Sequence, residues 1–70
     1  MNDLSNILDL PIGHNTDWKF GIITRDVYRM SETKFELTDT SHGWLNCRVD
    51  LDTMRKLING EQSILDLNWE

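Results

Sequence analysis

The 70-residue sequence predicts a small α+β fold: an antiparallel meander of three to four strands, one α-helix over about residues 51–59 packed on one face, and a short N-terminal helix or strand. Three observations carry this. Hydrophobicity alternates with period two from Trp18 onward, short polar turns interrupt that alternation, and a 3.6-residue apolar stripe follows an aspartate at residues 50–52. The length allows one domain, 1–70, because a second would be too small to bury a core.

Residues 1–10 read as a helix capped by Asp3, with Leu4, Ile7 and Leu8 on one face; Ile7–Leu10 as a strand is the competing reading. Pro11 ends the element, since the residue before a proline avoids helical geometry. Residues 12–17 form a loop of Gly and short polar residues, and 1–17 are expected to be loosely ordered. Trp18–Met30 reads as one long strand with Trp18, Phe20 and Ile22 on one face, bent or bulged near Thr24–Asp26.

After a turn at 31–33, Lys34–Thr40 forms the next strand, with Phe35 and Leu37 facing inward. Residues 39–43 supply a hairpin turn, and Trp44–Val49 returns with Leu45, Cys47 and Val49 as its apolar row. Asp50 or Asp52 caps the helix, whose stripe is Leu51, Met54, Leu57 and Ile58; Gly60 suits the left-handed position that closes it. Ser63–Trp69 alternates and reads as a fourth strand, with a helical turn at 62–66 as the alternative. Ile7-Leu8-Asp9-Leu10 recurs as Ile64-Leu65-Asp66-Leu67, either by coincidence or because both ends supply similar edge strands.

The charge balance argues against direct nucleic-acid binding. Twelve carboxylates outnumber seven Lys and Arg, for a formal net charge of -5, and the cations are dispersed. No apolar run approaches the ~18 residues of a membrane span. One cysteine, Cys47, leaves no internal disulfide and fits a reducing compartment, so a cytoplasmic location is expected.

No catalytic or cofactor site emerges. His14, Asp17, His42 and Cys47 lack the convergent spacing of a metal site. Asp50, Asp52 and Glu61 match three positions of a calcium loop, but Met54 and Arg55 stand where an oxygen ligand and the turn glycine belong. Ser41-His42 has no orienting third group, and the four glycines are scattered.

Aromatic residues are the remaining signal. Trp44, beside a turn and off the apolar row of its strand, is the first candidate for an exposed protein-binding anchor. Tyr28 with Arg25 and Arg29 forms a second candidate patch, and Trp69 is a third contact. The apolar residues Trp18, Phe20, Ile22, Ile23 and Val27 exceed what one helix covers and call for a partner. The expected function is therefore a small, acidic, non-catalytic regulatory module that docks on a larger protein, of the kind bacterial or phage accessory genes encode. Two alternatives stand beside it. One is a nucleic-acid-mimicking inhibitor, which requires Asp39, Asp50, Asp52, Glu61 and Asp66 to gather on one face. The other is the subunit of a homo-oligomer such as a homodimer.

Overall fold

A computed structural model describes residues 6–41 and 43–70. Four strands, β1 (Asn15–Phe20), β2 (Ile23–Arg29), β3 (Lys34–Asp39) and β4 (Leu45–Asp50), form an antiparallel sheet in sequential order. The helix α1 (Leu51–Ile58) follows β4 directly and packs over β3 and β4. The predicted α+β meander with one covering helix is the observed fold.

The helix forms where its signals place it. Asp50, in extended geometry, accepts from the Thr53 amide at 2.8 Å, and Met54 and Leu57 turn into the core. Gly60 adopts φ +78°, which a side chain would disfavour, and the chain leaves the helix there.

The long strand predicted for 18–30 is instead a hairpin. Phe20 pairs with Ile23, leaving Gly21-Ile22 as a two-residue turn. Gly21 has φ +69° and Ile22 does not share its positive φ, the pattern of a type II′ turn whose twist suits a hairpin. The turn also changes which residues share a face. In one continuous strand Phe20 and Ile23 would point apart; across a two-residue turn they stand opposite each other, on the same side. Trp18, Phe20, Ile23 and Val27 therefore join one face, and the apolar surplus that called for a partner shrinks to Ile22 at the tip.

Phe35, Leu37, Val27, Met54 and Ile7 fill the centre of the core with no measurable exposure. Each such side chain contributes on the order of 1.5–3 kcal/mol relative to an exposed one. The opposite face is polar, with Thr38 Oγ1 donating to Asn46 Oδ1 at 3.0 Å and Arg48 paired to Glu36 at 3.3 Å.

The tail is not a fourth strand; that place belongs to Asn15–Phe20, which begins inside the predicted loop. Residues Ile64–Asp66 form a 3-10 turn, the alternative reading for this stretch. At the other end Ile7–Asp9 is also a 3-10 turn rather than a longer helix or a strand; Asp3 and Leu4, the proposed cap and first apolar contact, lie outside the described residues. The two turns are built alike. Asn6 and Ser63 accept from the amides of Leu8 and Leu65, the amides of Leu10 and Leu67 return to Ile7 and Ile64, and both isoleucines are buried. The recurring Ile-Leu-Asp-Leu is thus one local plug used twice, with neither copy acting as an edge strand. Leu10, at ψ 128°, shows the extended geometry that Pro11 imposes.

Candidate functional site

The five residues singled out as a binding surface do not converge. Arg25 and Arg29 lie on the core face of β2, whereas Tyr28 lies on the polar face, so the proposed Tyr28–Arg25–Arg29 patch does not form. The alternation of a strand forbids it, since neighbours point to opposite sides.

Both arginines are engaged in the fold. Arg29 donates to the carbonyls of Leu8 (2.8 Å), Leu10 (2.9 Å), Ser31 (3.1 Å) and Glu32 (2.9 Å), with its guanidinium 5.1 Å from the Phe35 ring centroid. It clamps the N-terminal turn to the β2–β3 turn. Arg25 meets Asp39 at 3.2 Å and lies 5.8 Å from the Trp69 ring centroid. Asp39 also accepts from the Ser41 amide and hydroxyl, at 2.9 and 2.6 Å. Trp69 is half-buried, its indole N–H donating to the Ile64 carbonyl at 3.0 Å, so it covers the core instead of standing free.

Trp44 alone of the five is broadly exposed, at 74%. In a sequential meander the β1–β2 and β3–β4 connections share one end of the sheet, so Trp44 and Ile22, 96% exposed, project from the same end. Ile22 was among the apolar residues expected to need a partner, but its parity placed it in a strand and not at a turn, for which Gly21 was the available signal.

Concavities accompany the sheet among the described residues. A crevice of about 680 Å³ runs between β4 and the C-terminal segment, lined by Glu36, Arg48, Asp50, Asp66, Asn68 and Glu70 among others. Within this lining Glu70 and Asn46 exchange both main-chain hydrogen bonds, each 2.9 Å. A smaller one of about 190 Å³ lies around Asp17, Asp26 and Asp39. Asp39, 6% exposed and paired to Arg25, takes no part in an outward acidic surface, which separates it from Asp50 and Asp66.

Burial pushes the Cys47 thiol up, only partly offset by the Asn68 main-chain hydrogen bond, so it stays protonated and packs as a small hydrophobe. The Thr53 main-chain N–H holds the Asp50 carboxyl below its ordinary value, as a cap does. Among the described residues no three His, Cys, Asp or Glu side chains gather to hold a metal ion; His42 lies outside them. Among the described residues no helix is long and apolar enough to cross a membrane. No family model matches the chain, and no curated protein or solved structure is similar to it.

Proposed function

We propose that the chain is a non-catalytic protein-binding module that docks on a larger protein through the end of the sheet bearing Trp44 and Ile22. The observation that carries this reading is the exposure of Trp44, a side chain whose large apolar surface makes it a frequent interface anchor. Ile22 at the neighbouring tip extends the apolar surface a partner would cover. The engagement of Arg25, Arg29, Asp39 and Asp50 in structural bonds supports a role without turnover, since these groups are committed to holding the fold. A cytoplasmic setting fits the lone buried thiol, and a bacterial or phage accessory protein of this size would act by stoichiometric binding.

The test is affinity capture from a lysate of the native host with wild type, Trp44→Ala, Ile22→Ser and Leu65→Ala. Leu65 serves as the control because it is exposed but belongs to the C-terminal turn. One stoichiometric partner, lost in the first two variants and retained in the third, is the expected result. A partner held equally by all four proteins, or none held by wild type, overturns the reading.

A further inference from the structure

Among the described residues no strand pairs with the outer edge of β1, and that edge carries its own complement. Phe20 and Ile23 close the hairpin, and the Arg29 amide donates to the carbonyl of His14, just before β1, at 3.0 Å, so the positions of β1 bonded to β2 are 16, 18 and 20. The main-chain groups of Asn15, Asp17 and Lys19 therefore point away from the sheet. The helix packs over β3 and β4, at the other side of the molecule. No proline interrupts the strand, and although charged side chains commonly guard sheet edges, its two charges have opposite signs and can complement those of an antiparallel copy.

We propose that this edge pairs antiparallel with the same edge of a second copy, about a twofold axis at Trp18. Asp17 then stands opposite the partner's Lys19, Lys19 opposite the partner's Asp17, and the two Trp18 side chains face each other. Strand geometry leaves few registers, because the outward main-chain groups must meet in hydrogen-bonded pairs. Centring on Asp17 sets carboxylate against carboxylate, and centring on Lys19 sets ammonium against ammonium. Centring on Trp18 alone makes both charged pairs complementary, and twofold symmetry supplies each twice. Four main-chain hydrogen bonds form at the Asp17–Lys19 pairs. The Trp18 pair occupies the closer, non-hydrogen-bonded position, where side chains are in best contact.

A second observation comes from within the chain. Asp17 lies directly opposite Asp26, a like-charge pair that costs stability in a sheet. The Asn15 amide donates to Asp26 at 3.1 Å, but among the described residues no cation is paired with Asp17 and no anion with Lys19. The partner's Lys19 supplies the missing counter-charge. The surface uses neither Ile22 nor Trp44, so it stands or falls apart from the proposed docking end.

Sedimentation equilibrium tests it on wild type, D17K, K19D, the double variant D17K/K19D, and an equimolar mixture of the two single variants. Both side chains are exposed, and circular dichroism verifies that each variant is folded. Wild type and the charge-swapped double variant are expected to dimerise. Each single variant, with like charges along the edge, dimerises about tenfold or more weakly. Mixing the two restores dimers, because the wholly cationic edge of D17K meets the wholly anionic edge of K19D. A monomeric wild type overturns the proposal, as do dimers equally strong in all samples.

Discussion

Asp39 Oδ2 sits 3.2 Å from the Arg25 guanidinium on the core face of the sheet, with 8% and 14% of the two side chains exposed. An ion pair this enclosed has surrendered most of its hydration, so its partners depend on each other. Asp39→Ala is expected to cost about 3 kcal/mol in urea unfolding, because it strands a charge and removes the acceptor of Ser41. Replacing both partners by apolar residues, as in R25M/D39L, recovers most of that loss. A single variant as stable as wild type would show that the pair is not enclosed.

Arg29 holds four carbonyls, two from the N-terminal turn and two from the β2–β3 turn. A lysine keeps the charge but lacks the planar fork. Arg29→Lys should lower stability by about 2–3 kcal/mol, the scale of lost hydrogen bonds to a charged group. Hydrogen exchange should locate the loosening at Leu8–Leu10 and at the β2–β3 turn, far from Trp44.

The helix cap is sensitive to acid. Since the folded-state pKa of Asp50 is depressed, its contribution is fully present above the ordinary value of 3.8 and disappears as pH falls through the folded value. The stability difference between wild type and Asp50→Asn should therefore be constant near neutrality and shrink below about pH 3.8. Parallel unfolding curves over that range measure it, and a difference that persists undiminished in strong acid contradicts the cap.

The three tryptophans should separate spectroscopically. Trp44→Phe removes the most solvent-accessible emitter, leaving fluorescence that is bluer and less quenched by acrylamide. Trp69→Phe should do the reverse, and also release the hydrogen bond that ties the tail to Ile64.

How legible the fold was differs from element to element. The helix announced itself through Asp50, the Met54–Leu57 stripe and Gly60, all local signals that survive in the folded chain. The returns of β3 and β4 were equally plain, because Phe35, Leu37, Cys47 and Val49 alternate cleanly with polar residues. The β1–β2 hairpin was missed because a two-residue turn exchanges the two parities while Ile22, in the turn, continues the even row of Trp18 and Phe20. A row of apolar residues that jumps from even positions, Trp18 and Phe20, to odd ones, Ile23 and Val27, is the trace it leaves. In the tail, Ser63 was the overlooked cue: its hydroxyl offers the amide of Leu65 a bond that favours a turn over a strand. The inward arginines were harder. Arg25 interrupts the row of Ile23 and Val27, and Asp39 that of Phe35 and Leu37, and only the register brings the two interruptions to one level. The exposure of Trp44 agrees with its position off the apolar row, while Ile22, already counted in the apolar surplus, needed the hairpin to be placed at a tip.

The sequential order of the strands also governs how the molecule comes into being. Each strand pairs with the one just before it, so every rung of the sheet closes a short loop and little chain entropy is spent before contacts reward it. Synthesis from the N-terminus therefore delivers the strands in the order in which they join. Ile64 with its short turn, and Trp69 behind it, arrive only after the sheet and the helix. Until those residues emerge, one side of the core lies open to water, and the nascent chain holds a sheet whose hydrophobic face awaits the cover they supply.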